Sequence, residues 1–255
     1  TGKTLLALNF AKVAISLGGV VLWDDAEGSF DYFWAEAHGL DLKKVILFPE
    51  ENIIEVVSDW MADQIIFWRS KLVNNEPILL VGDSIAAWDT QTNMDVADSD
   101  SGEDMGRRGK KIYQMIRKRN RLISKYGICT YFINQIRKKV GASQYEDPDT
   151  TPGGDAMKFF ASQRFGLYRS QMLRENPKDK KSEVIGNIVM VRGKKNKVAP
   201  PRRAIYAAVY FVHWDNKFGY DNYYWLDEIL VEEGIVKRKR GGKYYFKGIL
   251  IANGD

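Results

Sequence analysis

Apolar residues recur at helical spacing through residues 3–17 (KTLLALNFAKVAISL), and Gly18-Gly19 break the run. A short apolar segment follows at once, Gly19 to Trp23, and runs into Asp24-Asp25-Ala26-Glu27, which reads as a buried strand with an acidic end. Residues 30–38 read as a helix, Val45 to Phe48 as a strand, and 52–73 as a long amphipathic helix. Ile78 to Val81 is another apolar strand, closed by Gly82-Asp83-Ser84, and Tyr131-Phe132-Ile133-Asn134 ends the next. Helix and strand thus alternate to residue 134. The pattern predicts an α/β core, with a mostly parallel sheet and helices on both faces.

Beyond about residue 164 the pattern changes. Phe165–Leu173, Val184–Arg192 and Ala204–Val212 read as strands joined by polar loops, which predicts antiparallel additions to one edge of the sheet. From 222 onward NYYWLDEILVEEG reads as a helix, and IVKRKRGGKYYFKG as a hairpin turning at Gly241-Gly242. The expected division is a core over residues 1–213 and a small α+β domain over 214–255.

Composition narrows the class. With 255 residues, 45% of them hydrophobic, seven Trp, 13 Tyr and 12 Phe, the chain has ample material for a core and is not disordered. No apolar run approaches the roughly 20 residues of a membrane span. The single cysteine, Cys129 in ICTYF, excludes a disulfide framework and a cysteine zinc site. It fits a reducing cytoplasm and reads as a buried core residue. A formal charge of +5 favours an anionic partner.

The chemistry begins at the first residue. Thr1-Gly2-Lys3-Thr4 ahead of a helix is the tail of a phosphate-binding G-x-x-x-x-G-K-[ST] loop. There backbone N–H groups surround phosphates, a lysine reaches the β/γ oxygens and a hydroxyl holds Mg²⁺. A chain opening inside such a motif, without an initiator Met, reads as a piece of a longer one whose leading strand is absent. Asp83 ends an apolar strand, where a carboxylate that reaches Mg²⁺ through water belongs in such enzymes; a cap or turn aspartate is the plainer alternative, and the order of phosphate loop first and strand-terminal aspartate later favours the nucleotide reading. Glu27 follows an earlier strand, where a general base could act, although alone it reads as a solvated loop acid.

INQIRKKVG at 133–141, EDPDTTPGGDAMKFFASQR at 146–164 and RGKKNKVAPP at 192–201 together resemble the RecA-type DNA recombinases. TTPGGDAMKFFAS is the most specific of these runs, and the resemblance extends from Thr1 to about Gly248. It implies a RecA-like P-loop NTPase core, ATP and Mg²⁺ as cofactors, and a DNA-dependent ATPase. Such a protein forms filaments on single-stranded DNA and pairs it with double-stranded DNA in the cytoplasm of a bacterium or a phage-infected host.

Residue by residue, Gly2, Lys3 and Thr4 match the family's P-loop, with Thr1 beside them, Glu27 its catalytic glutamate and Asp83 its Mg²⁺-linked aspartate. Gln135 matches the glutamine that senses the γ-phosphate. Lys195 and Lys197 match a pair that reaches ATP on the neighbouring subunit. Asp31 and Trp34 fall where the family holds adenine, the indole standing where the family has tyrosine.

Two stretches are expected at DNA. Residues 89–105 read as an acidic loop, with five acids from Asp95 to Asp104, and are followed by GRRGKKIYQMIRKRNRLISK, with nine bases and no acid. Ile112, Met115, Ile116, Leu122 and Ile123 take one face of that helix and leave the bases for phosphates. Here Met105, Gly106, Arg107, Lys110 and Arg117 match the family's first DNA loop. The second loop is 136–154, with Arg137, Lys138, Lys139, Gly153 and Gly154. The terminal hairpin alternates bases with Tyr244, Tyr245 and Phe246, which suits either nucleic acid or a solvated face. A hexameric helicase of the same core, or a DNA-binding relative with a decayed ATPase, are the alternatives to the recombinase.

Overall fold

In the computed structural model the first helical run is α1 (Lys3–Ser16), and the apolar segment after it is β1 (Val20–Asp24), buried along its whole length. The description covers residues 2–48, 52–90, 102–138, 149–152, 156–200, 203–214, 217–221, 223–239 and 243–253. These form two compact units, Lys3–Ser162 and Gln163–Asp255, with Gly2 grouped in the second.

In the first unit α2 (Tyr32–Ala37), a 3₁₀ turn (Leu42–Lys44) and β2 (Val45–Leu47) follow β1. Then come α3 (Ile54–Lys71), β3 (Ile78–Gly82), α4 (Gly102–Lys125) and β4 (Cys129–Phe132). Among the described residues β2, β1, β3 and β4 form a parallel sheet in that order. Val20, Leu22, Ile78 and Leu80 pack with Ile54, Val57, Met61 and Ile65 of α3 and Ile112, Met115 and Ile116 of α4 in one core. The buried residues of α1 (Leu5, Ala7, Leu8, Ala11 and Ala14) lie outside that core, and α1 packs on β1 and β3. Side chains alternate across a strand, so a sheet covered on both faces needs the uninterrupted apolar runs that the sequence shows.

The bases of α4 are less open than the local sequence implies. Lys111 pairs with Glu55 at 2.8 Å, Lys118 with Asp59 at 3.7 Å and Arg108 with Asp89 at 3.7 Å. Arg119 bonds both Asp59 and, at 2.8 Å, the Ser58 hydroxyl. Glu55 and Asp59 come from α3, 56 and 60 positions from Lys111 and Arg119, so no window over α4 reveals them. Helix α4 also begins at Gly102, so residues 102–105 extend the helix rather than a loop; residues 91–101 lie outside the described residues. A second correction concerns Cys129, which is exposed rather than buried. It opens β4, the outermost strand of this sheet among the described residues. Short β5 (Arg137–Lys138) and β6 (Asp149–Thr150) pair antiparallel, and α5 (Ala156–Phe160) closes the unit.

The second unit holds β7 (Gln163–Arg174), β8 (Val184–Asn196), β9 (Ala204–Trp214) and β10 (Lys217–Asp221). Among the described residues they form an antiparallel sheet in the order β10-β9-β8-β7. Helix α6 (Leu226–Glu232) is shorter than the pattern suggested. Strands β11 (Val236–Lys239) and β12 (Lys243–Phe246) make the expected hairpin, and β13 (Ile249–Asn253) adds a third strand. The hairpin's Gly241-Gly242 tip is outside the described residues. Its bases rest on its aromatic rings, with Lys239 Nζ 4.5 Å from the centre of Tyr245 and Arg238 5.5 Å from that of Tyr244.

Gly19 joins α1 to β1, and a Cβ there would lie 2.0 Å from the Pro77 carbonyl oxygen. Gly19→Ala should therefore lower stability by about 1–3 kcal/mol, read as a fall in the urea midpoint. Gly106→Ala is the matching control, because among the described residues nothing lies within 4 Å of a Cβ built there. It should raise stability by about 0.5–1 kcal/mol through helix propensity.

Candidate functional site

Strands β1, β3 and β4 end level. Asp24 pairs in register with Gly82, and Gly82 with Phe132. Beyond the strands the ladder continues: Asp83 N–H donates to the Asp24 carbonyl at 2.8 Å, and Ile133 N–H to the Gly82 carbonyl at 2.9 Å. From β1 the chain goes first to β2 on one side and then across to β3 on the other, so β1 and β3 border a topological switch point. Open α/β sheets bind ligands at the carboxyl ends of strands beside such a point. Asp24, Glu27, Asp83, Ser84 and Gln135 all sit there.

Glu27 is held from several directions. Its N–H donates to the Asp83 carbonyl at 3.3 Å. Its Oε1 accepts the Ser84 hydroxyl at 2.7 Å and the Gln135 amide at 3.0 Å. The loop carrying it is shaped by the Asp25 carboxylate, which accepts the N–H groups of Ser29 at 3.0 Å and Phe30 at 2.7 Å. Asn52 donates to the Ala26 carbonyl from the lead-in to α3. Of these, Glu27, Asp83 and Gln135 are legible as site residues in the sequence. Ser84, Asp25 and Asn52 carry no motif; their roles follow from partners up to 57 positions away.

The amino end of α1 supplies the opposite charge. Gly2 has a φ of +78°, a left-handed conformation that glycine adopts without strain. The Tyr220 hydroxyl donates to the Gly2 carbonyl at 3.1 Å, and burial pushes that phenol up to about 12. Burial likewise pushes the Asp83 carboxyl up to about 6; a hydrogen bond from Thr4 opposes this, Glu27 and Asp25 add to it, and Lys3 opposes it again. Helix N–H groups, an ammonium, a hydroxyl and a carboxyl together suit a phosphate that brings its own Mg²⁺. Such an ion takes one or two protein oxygens and completes its shell with phosphate and water.

Below them lies Asp24, 0% exposed. One of its oxygens accepts the Trp88 indole N–H and the other has no hydrogen-bond partner among the described residues. Burial raises its carboxyl to about 6, a bond from Trp88 opposes the rise, and Asp25 and Asp83 add to it.

The model of the RecA N-terminal domain matches residues 1–214. The chain belongs to the RecA N-terminal domain family. It is 35% identical over 249 residues to Protein RecA of Thermotoga neapolitana, covering 96% of this chain and 64% of that relative. It is 31% identical over 255 residues to Protein RecA of Chloroherpeton thalassium, covering 100% of this chain and 65% of that one. The chain thus spans just under two thirds of the length of these curated relatives. Among solved structures, the RadB recombinase aligns with a TM-score of 0.48 at 17% identity over 82% of each chain.

The remaining expected residues of this RecA-family chain fall as follows. Asp31 caps α2, its carboxylate accepting the Trp34 N–H at 2.9 Å, and the Trp34 ring lies 4.3 Å from that of His38. In the second unit Lys195 sits opposite Arg164 on β7. Its ammonium is held below the usual lysine range, by partial burial and then by the charges of Lys197 and Arg164. Gly106, Arg107, Lys110 and Arg117 lie on α4. Arg137 and Lys138 form β5, while Thr1, Lys139, Gly153, Gly154 and the side chain of Met105 lie outside the described residues.

Asp24 gives a pH prediction. Its carboxyl titrates near 6 in the folded chain against an ordinary 3.8. The folded state therefore holds a proton that the unfolded state has lost between those values. The stability it contributes is complete below the lower value and lost as pH rises through the upper. Asp24→Asn keeps an acceptor for Trp88 and removes the titration. In nucleotide-free protein it should add about 3 kcal/mol at pH 8 and little near pH 3.5, measured by urea unfolding.

Proposed function

We propose that this chain is the ATPase core of a DNA recombinase that forms filaments on single-stranded DNA. It pairs that DNA with a homologous duplex and hydrolyses ATP between subunits. The observation that carries the reading is the convergence of Thr4, Glu27, Asp83 and Gln135 at the ends of β1, β3 and β4. Family membership and the three DNA-recombinase runs support the rest.

In this reading Lys3 and the N–H groups of α1 bind the ATP phosphates, while Thr4, and Asp83 through water, hold Mg²⁺. When bound, the ion neutralises phosphate charge and orients the nucleotide. Glu27 accepts the proton of the attacking water, and Gln135 shifts from Glu27 to the γ-phosphate when ATP arrives. Asp31 and Trp34 cradle the adenine. Lys195 and Lys197 act on the nucleotide of the adjacent subunit, where two ammonium groups stabilise charge on the leaving phosphates. Gly106, Arg107, Lys110 and Arg117, with Met105 and the 136–154 segment that includes Arg137, Lys138, Lys139, Gly153 and Gly154, meet the DNA backbone.

The protein carrying this chain should hydrolyse ATP faster with single-stranded DNA, and electron micrographs should show helical filaments on that DNA. Lys3→Ala should abolish the hydrolysis. Closed rings would favour a helicase, and DNA-stimulated turnover by Lys3→Ala would overturn the phosphate site.

The shared site gives a separate test. Lys195→Ala or Lys197→Ala mixed with Glu27→Gln should recover part of the activity, since intact sites form at mixed interfaces. Loss of nucleotide binding by isolated lysine-variant monomers would refute action between subunits.

A further inference from the structure

Glu27 accepts two hydrogen bonds at the same oxygen, and the donors differ in kind. Ser84 is 1% exposed and lies on a turn fixed on three sides. Next to it Asp83 N–H is bound to the Asp24 carbonyl, Ile85 N–H reaches the Ile133 carbonyl at 3.0 Å, and its own carbonyl accepts Ala87 N–H at 2.9 Å. Gln135, by contrast, is exposed and lies outside the strand ladder.

We infer that Ser84 is a positioning residue for Glu27, the fixed partner that keeps the carboxylate aimed when Gln135 leaves it. The inference rests on the proposed role of Glu27 as general base. A carboxylate held by the amide alone would lose its orientation at the moment the amide turned to the γ-phosphate. A hydroxyl anchored to the ends of β1 and β4 keeps that orientation without moving. Ser84 itself touches neither nucleotide nor water in this scheme; it acts through Glu27.

A double-mutant cycle tests this in the protein carrying the chain, with single-turnover ATP hydrolysis on single-stranded DNA and nucleotide affinity as readouts. Ser84→Ala should slow hydrolysis about 10-fold or more, the scale of a hydrogen bond to a charged group, and leave the Kd for nucleotide within about twofold. Ser84→Cys, similar in size and a weaker donor, should fall between Ser84→Ala and the parent. In a Glu27→Ala background, Ser84→Ala should add nothing, because the residue it positions is gone. An equal loss in both backgrounds, or a loss of affinity as large as the loss of rate, overturns the Ser84 inference and leaves the general base standing. Full hydrolysis by Glu27→Ala removes the general base and the Ser84 inference together.

Discussion

The site depends on the level ends of three parallel strands. Hydrogen bonds from Asp83 to Asp24 and from Ile133 to Gly82 carry the ladder one step past the sheet. That step fixes where each chain departs. From β1 it sends Glu27 across to Asp83, from β3 it places Asp83 and Ser84, and from β4 it leads to Gln135. A register slip of one residue would reverse the faces of an entire strand and dissolve the cluster. The core beneath forbids such a slip, since Val20, Leu22, Ile78 and Leu80 must all meet α3 and α4.

The same geometry crowds acids. Asp24, Asp25, Glu27 and Asp83 share one small region, and burial holds both Asp24 and Asp83 near 6. Carboxyls so placed oppose their own ionisation, which costs folding stability at neutral pH. Lys3 and Thr4 offset part of that cost at Asp83. A cation bound with phosphate would relieve more of it, so this crowding gives the site an electrostatic preference for its proposed ligand.

Much of this is legible in the sequence, for physical reasons. Strands buried on both faces must be apolar throughout, so β1 and β3 stand out in a single reading of the chain. The Lys3–Thr4 pair before a helix and Asp83 after a strand are local signals too. What escaped the sequence depends on long-range partners. Ser84 and Asn52 matter through bonds to the Glu27 loop. The bases of α4 are partly neutralised by acids on α3, which a window over 106–125 cannot show. Cys129 looked buried because its neighbours are apolar, yet an outermost strand has less to cover it. The antiparallel strands are legible as strands, but their order β10-β9-β8-β7 is a matter of pairing that no local pattern encodes.

The most direct measurement is a crystal structure of the protein carrying this chain with magnesium, a non-hydrolysable ATP analogue and single-stranded DNA. Phosphates are expected at the amino end of α1 beside Lys3, with the metal between Thr4 and Asp83. The Gln135 amide should have turned from Glu27 toward the nucleotide while the Ser84 hydroxyl stays on Glu27. Phosphates bound elsewhere, or Glu27 turned away from the nucleotide with Ser84 and Gln135 both detached, would contradict this arrangement.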